Sequence, residues 1–333
     1  MEKYTDDYLF NLILQTGKRE NKYLGKTYKR AFRMLPKRSR HLLGKILEAK
    51  EIRFYRDPDC YVQIDNVRCV NKSKKLRPCV YMSNRAGSQT VFHELGHAID
   101  YLLGGDSLAT STHHLESVQN TFYFAANAEL KANHQAIYEH IMNEFKSVVV
   151  KGVGLEKYNN VLKHNKLHNE FCMLDQLIRE QKIKDAAELE TKMKRRDQLM
   201  RWFDKHGYIE DFIDIILLNS AYKFNLQNYP LIDAVGAYHD LSLLGFVHHS
   251  KEYWGSSENI SAEIFANLFS AKMLDETLTL DTFEKFMPQT YEAFNELYSI
   301  ILHRFLQLKK KPTNSYMSTG NLMGEQQCNL TNI

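Results

Sequence analysis

The sequence predicts an α+β fold that is mostly α, with a small β-sheet in a core that a long helical insertion interrupts. Three observations carry this expectation. Residues 51 to 83 contain three short stretches rich in β-branched and aromatic residues, EIRFYRD, CYVQIDNVRCV and RPCVYMS, separated by Asp-Pro and a lysine-rich turn. Residues 106 to 235 are long, polar and helical in period, with no strand signal. Residues 236 to 305 then return to compact, aromatic-rich sequence.

The chain divides accordingly. Residues 1 to 50 read as a basic N-terminal helical segment broken at Gly17 and Pro36, and residues 51 to 105 as the sheet and the helix after it. The insertion spans 106 to 235, the second half of the core 236 to 305, and a polar, disordered tail 306 to 333. Within the insertion, residues 176 to 205 intersperse opposite charges with Leu177, Ile178, Ile183, Leu189, Met193 and Leu199. That pattern predicts a helical hairpin or coiled-coil-like unit, a surface on which a protein partner could dock.

Composition narrows the function. The 333 residues are 44% hydrophobic and 25% charged, enough to bury a sizeable core in one large or two ordinary domains. A net charge of +4 excludes a general polyanion binder. The basic segment KRENKYLGKTYKRAFRMLPKRSR, residues 18 to 40, spaces Tyr23, Leu24, Tyr28, Phe32 and Leu35 helically. It reads as an amphipathic helix with a lysine-rich solvent face, and neither zinc-finger spacing nor an aromatic-basic platform points to nucleic acid. Cys60, Cys69, Cys79, Cys172 and Cys328 lack C-x-x-C spacing, which suggests reduced thiols in a cytosolic setting. The N-terminus MEKYTDDYLF has no apolar signal core, and no run approaches the roughly 18 apolar residues of a membrane span. The protein is expected to be cytoplasmic as synthesised, and to need delivery if it acts elsewhere.

The chemistry is concentrated in VFHELGHAIDYLLGG, residues 91 to 105. Helical spacing puts His93 and His97 on one face, where two imidazoles can grip one metal ion, with Glu94 beside them near a water on that ion. The H-E-x-x-H order therefore reads as a metallopeptidase helix. Thr90 or Ser88 can cap it, Val91, Phe92, Leu95, Ala98, Ile99, Leu102 and Leu103 bury it, and Gly104-Gly105 ends it. Polar groups on so buried a helix must be paired or metal-bound. Asp100 falls near the histidine face, where it could accept a ring N–H or lie at the helix rim.

A catalytic zinc takes three protein ligands. Position 103, six residues after the second histidine, is Leu103, which excludes a third histidine of the metzincin type. Three glutamates compete. Glu116 lies in THHLESVQN, which lacks an apolar helix, and Glu129 is followed by Lys131, His134 and Gln135, which favour a solvated face. Glu263, in ENISAEIFANLFSAKM, is favoured: Ile264, Phe265, Leu268, Phe269 and Met273 bury its helix. Ala266, Asn267 and Ser270 line the glutamate's own stripe with small residues, so another helix can approach closely. Glu129 and Glu263 share E-x-x-A-N, so burial rather than spacing separates them.

VFHELGHAID with the later GFVHHSKEYW and SAEIFANLF resembles the zincin-like catalytic domain of the glutamate-zincin, anthrax lethal factor type, over residues 50 to 105 and 236 to 275. Related domains occur as toxin modules attached to phage minor head proteins and in other polymorphic toxins. The resemblance implies a zinc-dependent endopeptidase, in the setting of a toxin, an effector protease or a phage, delivered by a virion or a secretion system. It implies Zn2+ on His93, His97 and Glu263, Glu94 as general base, and a protein or peptide substrate laid along the sheet edge. The family's catalytic tyrosine falls about two helical turns before the glutamate, where this chain has Ser256. Tyr253 is the substitute the sequence offers, with His248 or His249 as alternative donors to the developing oxyanion. The competing reading is a catalytically silent zincin-fold interaction protein built on the helical insertion, against which the retained Glu94 argues.

Overall fold

The computed structural model describes residues 3–16, 19–68, 74–104, 112–207, 233–239 and 251–306. These are mostly helical, with one small sheet. Helices α1 (Asp6–Thr16), α2 (Gly25–Arg33) and α3 (Lys37–Ala49) form the N-terminal segment, with a 3-10 stretch at Arg19–Leu24. The basic segment is therefore not one helix. Pro36 stands at the N-cap of α3, and its missing N–H and fixed φ fit a helix start better than an interior. Tyr28, Phe32, Leu42, Leu43 and Ile46 face the core while Lys37 and Arg38 stay exposed.

Strands β1 (Arg53–Arg56), β2 (Tyr61–Arg68) and β3 (Lys74–Met82) match the three predicted stretches. Their order is β1-β3-β2, β1 parallel and β2 antiparallel to β3. Alternation sorts the faces: Phe54, Val80 and Met82 are buried in the core. Tyr55, Tyr81 and Tyr61 pair in register across the other face, with Tyr61 and Tyr81 stacked at 4.5 Å.

Helix α4 (Ser88–Gly104) carries the H-E-x-x-H pattern, and Ser88 and Thr90 both lie within its first turn. After it come α5 (Thr112–Val153), α6 (Leu155–Arg179), α7 (Ala186–His206), α8 (Lys251–Trp254), α9 (Ser257–Leu274), α10 (Thr277–Phe286) and α11 (Pro288–Leu306). The Glu263 helix, α9, packs along α4, which also packs against β3.

The span expected to be an insertion is divided. Phe122, Ala126, Leu130, Ile137 and Ile141 of α5 recur at helical spacing and are buried in the main core with α9 and α11, so this helix belongs to the main body of the fold. Helices α6 and α7 form the expected hairpin, although α6 begins at Leu155, well before residue 176. Asp185 caps α7 by accepting from the Glu188 amide at 2.7 Å, and Arg195 grips Glu170 with two bonds of 2.7 and 2.9 Å. Leu174, Leu199 and Phe203 give the hairpin a small core of its own.

Gly96, inside the H-E-x-x-H pattern, sets the helix spacing. A Cβ there would lie 2.8 Å from the Ala266 Cα and 3.1 Å from the Ala266 carbonyl oxygen. Glycine to alanine in an ordinary helix interior gains about 0.5–1 kcal/mol. At Gly96 the sign reverses: Gly96→Ala is expected to lose about 1–3 kcal/mol by forcing backbone apart. Urea unfolding measures this, and unchanged or increased stability would show that the helices are not in limiting contact.

Candidate metal centre

Helix α4 sets His93 and His97 one turn apart, and the close approach of α9 brings Glu263 between them. The His93 Nε2 lies 3.0 Å from Glu263 Oε2, the His97 Nε2 lies 3.5 Å from the same oxygen, and the two nitrogens are 3.1 Å apart. A tetrahedral ion with nitrogen and oxygen ligands at about 2.0–2.1 Å keeps those atoms about 3.3 Å apart. The three separations bracket that value, so this buried group could hold a metal ion. Side-chain exposure is 8% for His93, 2% for Glu263 and 17% for His97, so the centre meets solvent on the His97 side.

A hydrogen-bond chain orients His93. Asp233 Oδ2 accepts from Asn267 Nδ2 at 2.9 Å, which turns Asn267 Oδ1 toward His93 Nδ1, also at 2.9 Å. An amide oxygen can only accept, so Nδ1 carries a proton and Nε2 is the ring nitrogen turned toward Glu263 Oε2. Sequence reasoning valued Asn267 only for its small size and did not name Asp233. The one available signal was an amide on an apolar helix a turn after Glu263. Asp100, expected as a candidate partner for a ring N–H, is used elsewhere. Its carboxylate accepts from the Tyr123 hydroxyl at 2.6 Å and from Gln119 Nε2 at 2.8 Å, both on α5. Burial pushes the Asp100 carboxyl up to about 6, with those two bonds pulling the other way.

The electrostatics are those of one coupled cluster. Burial lowers the His93 pKa, but the hydrogen bond and charge of Glu263, with Glu94 and Asp233 beyond, reverse this and raise it to about 10. The same balance raises His97. Burial raises Glu263, and the two histidines outweigh it, holding the carboxyl well below the usual range. Glu94 is 7% exposed, and its charge acts on His93, His97 and Tyr253.

Tyr253, on the short helix α8, donates its hydroxyl to Glu263 Oε1. Burial, and then the Glu263 charge, raise its pKa far above the usual phenol range and keep the proton in place. Ser256 caps α9 instead, its hydroxyl oxygen accepting from the Glu258 amide at 3.2 Å. His248 and His249 lie outside the described residues. The Glu116 backbone is in α5 and its side chain lies outside the described residues. Glu129 departs from the expected solvated face. It is buried, and it accepts from the Gln289 amide at 3.1 Å and from the Thr290 amide and hydroxyl at 2.8 and 2.7 Å. It answers the unpaired amides at the start of α11, which stabilise a carboxylate that water would otherwise have to solvate.

Compared with known proteins, the chain matches no family model, no curated protein and no solved structure.

Glu263→Ala is expected to abolish binding of one metal equivalent. Glu129→Ala should bind metal as the parent does and lose about 1–3 kcal/mol of stability from the unanswered amides. Asn267→Ala should weaken metal affinity about 10–100-fold by freeing the His93 ring. Metal titration of the three purified variants checks all of these, and selective loss in the Glu129 variant would move the centre to another helix.

Proposed function

We propose that this chain is a zinc-dependent endopeptidase of the glutamate-zincin type. The observation that carries the reading is the convergence of His93 Nε2, His97 Nε2 and Glu263 Oε2 within 3.5 Å of one another, with Glu94 on the same turn of α4. Two imidazoles and one carboxylate are the donor set of catalytic zinc sites that leave one position for water. A zinc ion held there would lower the pKa of water toward about 7 and polarise a carbonyl.

The remaining work falls to this chain's own groups. Glu94 is the base that takes the proton from water and returns it to the leaving amide nitrogen. Tyr253 steadies Glu263 through its Oε1, which keeps Oε2 directed at the histidines. Its hydroxyl proton is also a donor beside the centre for charge developing on a carbonyl oxygen. Among the described residues β2 pairs with β3 alone, and it packs near α4. An extended peptide adding to that edge would run beside the centre, which supports a protein or peptide as the substrate. No described helix is long and apolar enough to cross a membrane. The α6–α7 hairpin exposes Met173, Met193 and Met200, which favours a contact with a protein partner as its role.

Purified protein should carry one zinc equivalent and cleave members of a peptide library. Glu94→Gln should keep the zinc and the fold and lose turnover by roughly 10²–10⁴-fold, the range of a general base. Full activity in that variant removes the mechanism, and a parent protein that binds zinc but cleaves no peptide supports a silent scaffold.

A further inference from the structure

A cavity of about 810 Å³ opens where the N-terminus, the first turn of α3 and the end of α11 meet. Its polar lining is Lys3, Lys37, Arg38, Arg40 and His41, with Tyr4 and Leu306 on the apolar side and no acidic side chain among the described residues. Two of the cations are committed. Arg40 Nη1 pairs with Asp6 at 2.6 Å while its Nη2 donates to the Phe32 carbonyl, also at 2.6 Å. Lys3 pairs with Glu48 at 2.7 Å. Lys37 and Arg38 are exposed and have no ion-pair partner among the described residues, although they are adjacent in sequence.

Two uncompensated charges at the mouth of a cavity leave an excess of about two positive charges, which a dianion would neutralise. Arg40, held by Asp6 and the Phe32 carbonyl, forms a fixed polar wall, and the first turn of α3 contains no acidic residue to oppose an anion. The volume is several times that of a bare phosphate group and falls in the range of small-molecule sites. Tyr4, 2% exposed, and Leu306 provide an apolar wall for whatever the anion is attached to. We propose that this cavity binds a phosphate monoester, its dianionic head held by Lys37 and Arg38 and its organic part lying toward Tyr4 and Leu306. This gives the basic N-terminal segment a role apart from the metal centre, and the site stands whether or not the chain is a peptidase.

The phosphate could belong to a soluble metabolite or to the headgroup of a phosphatidic-acid-like lipid, and the test separates them. Glycerol 3-phosphate is titrated calorimetrically into the full chain. In parallel, the chain is sedimented with phosphatidylcholine vesicles with and without one-fifth phosphatidic acid. The parent protein is expected to bind glycerol 3-phosphate, and the double variant Lys37→Glu/Arg38→Glu to weaken it at least tenfold with zinc content and melting temperature retained. Both substitutions are at exposed positions, and Lys37→Gln/Arg38→Gln gives a milder loss that guards against charge-reversal artefacts. Vesicle binding that needs phosphatidic acid and is lost in the variant, without glycerol 3-phosphate binding, assigns the site to a lipid headgroup. Binding unchanged in both variants would place the phosphate elsewhere, for instance at the metal centre, and overturn the proposal. Failure of both probes to bind the parent protein would overturn it as well.

Discussion

Glu263 is a carboxylate held almost wholly out of water between two imidazoles, and a charge so placed is stable only if other groups compensate it from fixed positions. That requirement governs the surrounding packing. The carboxylate rides on α9 and the imidazoles on α4, so the distance between these backbones sets the electrostatics. Gly96 opposite Ala266 lets the helices approach to a point that a single Cβ would prevent. The raised histidines and the lowered glutamate are one interaction seen from its two ends.

The rest of the fold steadies that contact. Helix α5 acts as a strut, because its polar side chains bond to three later elements. Asn127 donates to the Ser257 carbonyl at 3.0 Å and to the Ser261 hydroxyl, both on α9. Glu129 answers the start of α11, and Asn133 donates to the Phe286 carbonyl at the end of α10 at 2.8 Å. Asp100 ties α4 back to α5 through Tyr123 and Gln119. Buried polar groups of this kind resist sliding, since movement in any direction leaves a donor or acceptor unsatisfied.

What was legible in the sequence followed the range of the interaction. The His93 and His97 pair, the three strands and the small-residue stripe after Glu263 rest on spacings of a few residues, and the local pattern was enough. Glu129 was misjudged because its partners, Gln289 and Thr290, are 160 and 161 residues away, and Lys131 beside it suggested water. Asp100, left open between a ring N–H partner and the helix rim, accepts from Tyr123 and Gln119 on a helix whose approach nothing in VFHELGHAID announces. Helical period alone made α5 and the hairpin look like one unit. Only burial separates them, since the apolar stripe of α5 is continuous with the core, whereas α6 joins that core through Tyr158 and Val161 at its start and then closes on α7 around Leu174, Leu199 and Phe203.

Tyr253 shows how a phenol reaches Glu263 from a register other than the one the resemblance implies. Ser256 occupies the position seven residues before Glu263, and there it caps α9, a task that tyrosine performs poorly. The hydroxyl comes from one short helix further back, where Asn259 Nδ2 donates to the Tyr253 carbonyl at 2.7 Å and fixes that helix to the first turn of α9. The tyrosine is thus anchored by its backbone to the helix whose glutamate its side chain holds. Any shift of α9 carries Tyr253 and Glu263 together. The donor set is therefore positioned as two rigid pieces, α4 with its histidines, and α9 with its carboxylate and amide together with the phenol of α8. A metal ion joining them would have little left to order, which is the condition under which binding free energy goes into affinity rather than into rearrangement.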